Sequence, residues 1–471
     1  MLGLTAPHGA DAWTFAQEQL GRDAHAVVLT RHGGAYEDPA LERYVRGVGL
    51  RLAAESRQPS AHWRFTILDN PALAAFPQPG GYIYVTRGLL AFAGSEAELA
   101  GVLAHQMALA LEGDFGNPRD TQPVRGLAPG ALLDGLIGGR DKYAVIPASF
   151  PRVSGARPVF SASQETAAVG EGLALLAAAG YPAAAMTSLA NRLSEQETLA
   201  ATMGGGARLM MFGATPEIRA QTLDALRLAA EAENTFALDN EDADYTTDYL
   251  NAIQGLVYGD SPAHGFVRGA AFVHPQLRFT FDLPAGFEVE NTSAEVIARG
   301  ANGALMVLDT TDDAGERLES YVRDTWAPSL TRQVQAGYLF DLVSTTVNGF
   351  PATMAFQPFS DDEGAKVAQL LVIRGQNRVY RFRSIARAED FDTSLTMEAA
   401  MMSFREIPVT EAARYRPYWI QVHRIQPGEN LNLLAASVPY RNNREAHFRV
   451  LNGYGGRSVP LVGDQVKLIM E

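Results

Sequence analysis

Cysteine is absent from the 471-residue chain. This absence excludes disulfide bonds and thiolate metal sites, and it is compatible with either the cytoplasm or the periplasm. Basic residues are in deficit as well, because 39 Lys and Arg face 53 Asp and Glu and leave a net charge of −14. Such a surface repels nucleic acid and anionic lipid, and no basic block offsets it. We therefore expect no nucleic-acid partner.

Long apolar runs are also missing. No run approaches the roughly 18 residues that a membrane-spanning helix needs, so we expect no membrane span. The first residues, Met1 to His8, lack the basic stretch and the apolar core of a signal peptide. We expect either a cytoplasmic protein or a mature sequence from which a leader has been removed.

The first half of the chain has the pattern of helices around a small sheet. Apolar residues at helical spacing predict a helix from Pro39 to Leu52. An alternating run from Arg64 to Asp69 and a β-branched, aromatic run from Tyr82 to Arg87 predict two strands. Further helices are predicted at residues 163–179, 182–192 and 216–231.

The second half has the texture of an α+β module. Strands are predicted at residues 278–284, 304–309, 355–359, 367–373 and 379–384, and helices at 317–325 and 389–403. Pro358 would confine the third of these strands to a sheet edge. A Gly- and Pro-rich stretch at 117–158, with a short helix at 128–136, predicts a long loop region. Residues 234–245 are acidic and predict a linker.

A damaged zinc-peptidase motif lies on the helix that Ser95 begins, where Glu98 completes a capping box. A His-Glu-x-x-His helix places two His on one face to bind zinc, with the Glu between them as general base. Here the run is His105-Gln106-Met107-Ala108-Leu109. Gln106 therefore stands at the position of the base, and Leu109 at that of the second zinc ligand.

Two longer motifs carry a family resemblance. The run Ala75-Phe-Pro-Gln-Pro-Gly-Gly-Tyr-Ile-Tyr-Val-Thr-Arg-Gly-Leu-Leu90 precedes the helix, and Gln164-Glu-Thr-Ala-Ala-Val-Gly-Glu-Gly172 follows it. Together with His105 they resemble the BepA/YfgC-like zinc metallopeptidases, periplasmic gluzincins related to the HtpX and Ste-type proteases. The resemblance implies an α+β fold class, a zincin-like domain that is mainly helical with a small sheet, and a periplasmic location.

The resemblance also implies a partly retained site. His105 matches the first zinc ligand of the family, and Glu165 matches the third. Val169 replaces the Asp of the second motif. Arg219 matches the Arg of a later His-Pro-x-x-x-x-Arg segment, whose His-Pro is replaced by Gly213-Ala214.

These replacements weigh against catalysis. A catalytic zinc needs three protein ligands and an open position for water, whereas His105 and Glu165 supply two at most. The Gln106 amide cannot take a proton from water, and a general base typically contributes about 10²–10⁴-fold. We expect no bound cofactor, although active members of the family use zinc. His105 and Glu165 are either a residual metal site or a buried pair in which each group offsets the desolvation of the other.

Tyr82, Ile83, Tyr84 and Val85 are predicted to bind substrate. In zincins an edge strand near the metal pairs with an extended peptide, and this binding requires no zinc. The alternative is an ordinary strand of the sheet.

The C-terminal tail has a resemblance of its own. Val422-His-Arg-Ile-Gln-Pro-Gly-Glu-Asn-Leu431, Phe448 to Gly453 and Val462 to Leu468 resemble a diverged LysM domain. That resemblance implies peptidoglycan as a partner. The alternative is a LysM-like cap that packs on the α+β module.

The predicted division is a zincin-like domain at 1–233, a linker at 234–276, an α+β module at 277–410 and the LysM-like tail at 411–471. Our first hypothesis is a periplasmic pseudoprotease that binds or regulates envelope proteins, including outer-membrane proteins. The second is an active zinc endopeptidase that acts on misfolded envelope proteins, with His105, Glu165 and an unidentified third ligand.

Overall fold

The structure, a computed structural model, describes residues 13–112, 160–202, 209–210, 216–233, 245–330, 340–361, 364–440, 442–455 and 458–471. The described residues up to 259 form one compact unit together with residues 417–471, and residues 260–416 form another. The predicted loop at 117–158 and Gly213-Ala214 lie outside the described residues.

The first unit is mainly helical. Numbered in chain order, its helices are α1 (Phe15–Arg31), α2 (Pro39–Glu55), α3 (Arg87–Phe92), α4 (Glu96–Glu112), α5 (Ala162–Ala178), α6 (Ala184–Thr202), α7 (Pro216–Glu233), α8 (Thr247–Ala252), α12 (Leu431–Ala435) and α13 (Arg444–Asn452). Its strands are β1 (Arg64–Leu68), β2 (Leu73–Gln78), β3 (Tyr82–Thr86), β4 (Leu209–Met210), β5 (Val257–Tyr258), β17 (Tyr418–Arg424) and β18 (Gln465–Met470). The mixed helix and strand content confirms the predicted α+β class.

Side-chain caps set where several helices begin. Thr14 and Ser161 each form a capping box with the Gln three residues later, at the start of α1 and α5. At α4, Ser95 Oγ accepts the Glu98 N–H as predicted, but the Glu98 carboxylate accepts the N–H of Gly94 instead of that of Ser95. One of the two predicted capping-box hydrogen bonds is therefore present, and the other is made by the N–H of the residue before Ser95.

The strand order β1-β3-β2-β4 corrects one site prediction. β3 pairs with β1 on one side and with β2 on the other, and all five of its residues are buried. The prediction that Tyr82, Ile83, Tyr84 and Val85 form a substrate-binding edge strand is wrong, because both hydrogen-bonding edges of β3 are already occupied. The sequence pattern also does not predict β2, which contains Pro77.

Helix α4 is the centre of this unit. Every residue from Ala97 to Ala110 is buried. α5 crosses it closely at Gly172, where a Cβ atom would lie 3.1 Å from His105 Cα and 3.2 Å from His105 N. A side chain at residue 172 would therefore crowd the backbone of α4, and glycine lets the two backbones approach at the level of His105.

The C-terminal segment (residues 417–471) has the order β17-α12-α13-β18 and belongs to the first unit. β17 pairs antiparallel with β18 and also with β5, so strands far apart in sequence form one three-stranded sheet. Ile420 and Leu451 belong to the same apolar core as α4. The predicted linker divides between the units, because β5 pairs with β17 whereas the next two strands pair within the second unit.

The second unit contains a seven-stranded antiparallel sheet of order β12-β13-β14-β15-β11-β10-β9 and a smaller sheet of order β16-β8-β7-β6. The strands of the large sheet are β9 (Glu288–Asn291), β10 (Glu295–Arg299), β11 (Leu305–Asp312), β12 (Phe340–Val347), β13 (Phe350–Asp361), β14 (Gly364–Arg374) and β15 (Arg378–Arg387). The small sheet contains β6 (Phe266–Arg268), β7 (Ala271–His274), β8 (Phe279–Asp282) and β16 (Arg405–Glu406).

Helices pack against this large sheet. They are α9 (a helical segment of Leu318–Ser320, Tyr321–Trp326 and Ala327–Leu330) and α10 (Phe391–Met402), and the short α11 (Val409–Ala412) lies near the end of the unit. Trp326 of α9 packs with Leu370 in one core, whereas Met401 of α10 packs with Phe382 in another. In the parts of the chain that the structure describes, we find no helix with the length and hydropathy needed to cross a bilayer.

The close crossing of α4 and α5 gives a stability prediction. Gly172→Leu should destabilise the protein by about 1–3 kcal/mol, because the added side chain meets the backbone of α4. Gly170→Leu is the matched control, since it lies on the same helix and a Cβ added there would meet nothing within 4 Å. Urea unfolding monitored by circular dichroism measures both variants. Equal stabilities of the two variants would contradict the crossing.

Candidate functional site

The retained positions of the motif meet between α4 and α5. His105 Nε2 lies 3.5 Å from Glu165 Oε2. Both residues are inaccessible to solvent, with 0% of His105 and 4% of Glu165 exposed. The first turn of α5 positions Glu165, because the Ser161 capping box fixes where that helix begins. The structure thus brings together the two residues that the resemblance gives as ligand positions.

Gln106 contacts the other ring nitrogen of His105. Its Nε2 lies 3.1 Å from His105 Nδ1, and Gln106 is itself buried, with 2% exposed. An amide nitrogen only donates, so Nδ1 accepts and the proton of the neutral ring is on Nε2. The ring nitrogen that faces Glu165 therefore carries the proton.

Burial also fixes the charge of the imidazole. Desolvation lowers the pKa of His105 from 6.5 to about 4, and a hydrogen bond with the Glu165 backbone acts in the opposite direction. The ring is consequently neutral at pH 7, and its contact with Glu165 is one between a neutral donor and a carboxyl group.

Apolar side chains fill the position of the second ligand. Leu109 has 2% of its surface exposed and packs in a small cluster with Ala108, Phe160 and Ala168. Val169, which replaces the acidic residue of the second motif, belongs to the main core. Neither side chain carries an atom that could bind a metal or a water molecule.

Arg219 makes an ion pair between two helices. It lies on α7, and its Nε is 3.0 Å from Glu197 Oε1 on α6. The Arg219 side chain is 13% exposed. The contact joins α6 to α7, so in this fold the residue links two helices of the first unit.

The donor set does not fit a catalytic zinc. One imidazole nitrogen and one carboxylate face each other, whereas such a zinc takes three protein ligands. Across the described ranges, no cluster of three or more His, Cys, Asp or Glu side chains is placed to hold a metal ion. We therefore derive no chemical step through zinc at this site.

The sequence reasoning missed a second buried polar cluster on α4. The Glu98 carboxylate accepts from Arg192 Nη1 at 2.7 Å and from Ser188 Oγ at 2.9 Å, and Arg192 and Glu98 are 6% and 5% exposed. Arg192 interrupts the apolar pattern of its helix, which is a signal that sequence can supply. The sequence does not indicate the partner of Arg192, because Glu98 lies 94 positions earlier.

Comparison with known proteins finds a similarity within the first unit. The model of peptidase family M48 matches residues 39–241, which include α4, α5 and the His105–Glu165 contact. This part of the chain is thus similar to peptidase family M48. The predicted resemblance to BepA-like metallopeptidases is thereby confirmed at the level of the family.

Curated relatives agree with this assignment. A putative beta-barrel assembly-enhancing protease of Vibrio cholerae is 29% identical over 188 residues, which are 39% of each chain. The beta-barrel assembly-enhancing protease of Escherichia coli K12 is 24% identical over 190 residues, again 39% of each chain. The mitochondrial metalloendopeptidase OMA1 of Schizosaccharomyces pombe is 31% identical over 96 residues, 20% of this chain and 28% of that protein. The match to the two bacterial relatives spans about two fifths of their length.

Among solved structures, cyanobacterial PsbP from Synechocystis aligns with a TM-score of 0.26 at 12% identity, over 31% of this chain and 98% of that one. A score at this level carries no argument about fold or function.

The buried imidazole predicts a pH dependence of stability. The folded pKa of His105 is about 4 against 6.5 unfolded, so only the unfolded chain takes up this proton between those values. The stability from the neutral ring is present above pH 6.5 and is lost as the pH falls towards 4. Between pH 7 and pH 4.5, the free energy of unfolding of His105→Gln should therefore fall by about 2–3 kcal/mol less than that of the parent chain.

Urea unfolding at the two pH values measures this difference. His62→Gln is the control, because it removes an imidazole that is exposed to solvent. The same pH dependence in the parent chain and in His105→Gln would contradict a buried neutral imidazole.

Proposed function

We propose that this chain is a catalytically inactive member of its peptidase family, a pseudoprotease of the bacterial periplasm that binds or regulates envelope proteins. The observation that carries the proposal is the apolar packing of Leu109 against Phe160. An apolar side chain occupies the position that the family gives to a zinc ligand. The site therefore lacks the ligand atom, and apolar packing leaves no room for another ligand in its place.

Gln106 supports the same conclusion independently. A general base must be within reach of the proton that it removes, and it must have a basic lone pair. The Gln106 amide has no such lone pair near neutral pH, and its nitrogen is engaged with His105 Nδ1 inside the core. The residue thus stabilises one orientation of the imidazole and does not activate water.

Envelope proteins are the proposed clients, with outer-membrane β-barrel proteins foremost. The support is the similarity to two bacterial proteins named as beta-barrel assembly-enhancing proteases. The periplasmic location rests on the same similarity. The LysM-like interpretation of the C-terminal segment, and with it peptidoglycan as a partner, is supported by the order β17-α12-α13-β18 and by the sequence resemblance.

The alternative is an active zinc endopeptidase that acts on misfolded envelope proteins. It retains two of the three family ligand positions, His105 and Glu165, in contact. It requires a third ligand in place of Leu109, and it requires water to reach a site in which both retained groups are buried.

Metal content and casein cleavage separate the two functions. We expect the purified full chain, dialysed against zinc and then against buffer, to retain far less than one zinc per chain and to leave casein intact. His105→Ala should change neither result. Stoichiometric zinc together with casein cleavage that His105→Ala abolishes would overturn the pseudoprotease proposal.

A restored variant makes this measurement informative. Leu109→His with Gln106→Glu should raise zinc affinity at least about tenfold, since even outer-shell partners of a metal contribute about 10–100-fold. Leu109→Asn with Gln106→Glu is the matched control, because it adds similar polarity without an imidazole. Equal zinc affinities of the two variants would mean that position 109 does not face His105 and Glu165.

Client binding is tested separately from chemistry. A urea-denatured outer-membrane β-barrel protein is diluted with and without an equimolar amount of the full chain, and light scattering follows aggregation. We expect slower aggregation without cleavage, because a bound client exposes less apolar strand to other molecules. A denatured protein from the cytoplasm is the control. Unchanged aggregation of the β-barrel protein would contradict a client-binding role.

A further inference from the structure

Lysine is rare in this chain, and one lysine occupies an unusual position. The sequence has only Lys142, Lys366 and Lys467, so 39 − 3 = 36 of the basic residues are arginine. Lys467 lies on β18 of the C-terminal segment and is 2% exposed. Lysine is almost never fully buried unless it is paired. The buried ammonium group of Lys467 therefore requires specific hydrogen-bond acceptors.

That partner is the C-terminal end of α3. Lys467 Nζ donates to the carbonyl oxygens of Ala91, Phe92 and Ala93 at 3.0, 2.8 and 2.9 Å. The last carbonyls of a helix have no partner within the helix. Three acceptors match the three N–H bonds of an ammonium group, whereas a neutral amine would leave one carbonyl unmatched.

Arg192 of α6 also donates to the C-terminal end of α3. Its Nη2 donates to Phe92 O at 2.5 Å and to Leu451 O at 2.9 Å, and its Nη1 donates to Glu98 Oε2 at 2.7 Å. Arg192 thereby joins the end of α3, the first turn of α4 and helix α13 of the C-terminal segment.

The remaining carbonyl of this turn is also satisfied. The fully buried Tyr249 of α8 donates its hydroxyl to Leu90 O at 2.6 Å. The carbonyls of four successive residues, 90–93, thus accept from side chains of three other elements. Each of these bonds is lost if the element that donates it moves away, and a buried carbonyl without a donor is costly.

The end of α3 is also the beginning of α4. Residues 91–95, the α3–α4 corner, connect the two helices, and Gly94 N–H donates to Glu98 at 2.7 Å. α4 is a continuous helix up to Glu112. Its depth and rotation against α5 at His105 therefore depend on how this corner is held.

We propose that the C-terminal segment is an intramolecular latch on the α3–α4 corner, in which Lys467 is a positioning residue for the helix that carries His105. In this proposal the ammonium of Lys467 is bound by carbonyl groups of its own chain, at the end of α3. In this arrangement the segment is a fixed part of the first unit, and it is not a tethered module that moves independently to find a ligand.

The surroundings of Lys467 contain charged as well as polar groups. Burial lowers the pKa of Lys467 well below its usual range, Arg192 lowers it further, and Glu98 acts in the opposite direction. One carboxylate, that of Glu98, is thus present beside two basic side chains, and the carbonyl oxygens supply the other acceptors. Arginine could not replace the lysine without change, since its planar fork does not match three carbonyls around one nitrogen.

Acetylation of lysine in the native full chain tests the latch without any mutation. Because Lys467 is one of three lysines, mass spectrometry of its peptide gives a clear time course. We expect its acetylation in the native protein to be at least about a hundredfold slower than in urea-denatured chain, since a buried amine reacts only after the segment opens. Acetylation of Lys467 at the rate of the denatured chain would overturn the proposal.

A variant then tests the effect on α4. In Lys467→Met, hydrogen exchange in the first two turns of α4 should quicken at least about tenfold, because the Ala91 and Ala93 carbonyls lose their donor and Phe92 O keeps only Arg192. The imidazole NMR signals of His105 should shift as well. Leu434→Ala is the control, since Leu434 lies in the separate core of the C-terminal segment.

The outcomes of this comparison are distinct. Faster exchange in α4 and shifted His105 signals in Lys467→Met, with little change in Leu434→Ala, support the positioning role. Equal effects of both variants, or no effect of Lys467→Met on α4, would overturn it. If Lys467→Met does not fold, the acetylation time course of the parent chain still decides whether the segment is fixed.

Discussion

The crossing of α4 over α5 is the contact on which the rest of the first unit depends. Gly172 allows the two backbones to approach, and the space that remains holds His105 and Glu165 away from water. At this distance from solvent a single ionisable group would be expensive, so each of the two requires the other.

Two side chains next to the His105–Glu165 contact also contribute to the packing of the helix pair. Leu109 and Gln106 occupy the positions that the resemblance gives to a ligand and a base. Both side chains contribute to the interior, one through apolar contacts and one through a hydrogen bond to His105. Both residues therefore have a structural role in the interior of the first unit. In the function that we propose, this architecture serves binding.

Local patterns predict much of this structure, and contacts between distant residues account for what they miss. Helical periodicity locates α4 and α5, because a helix fixes which positions share a face. The family resemblance, and not the spacing, implies that His105 and Glu165 lie together. Strand order has no such local signal, so the sequence predicts an edge position for β3 although it lies inside the sheet. Pro358 misleads for a related reason: it lies beyond Phe356, the last residue of β13 that pairs with β12, so an inner strand tolerates it.

The order of segments along the chain has a consequence for synthesis. Residues 260–416 form the second unit and lie between two parts of the first, so the ribosome completes them before β18 exists. At roughly 5–20 residues per second the intervening stretch takes on the order of ten seconds or more. During this interval Arg192 and Tyr249 are present, but the Ala91 and Ala93 carbonyls lack the Lys467 ammonium. The end of α3 is therefore completed only when the last strand of the chain has been made.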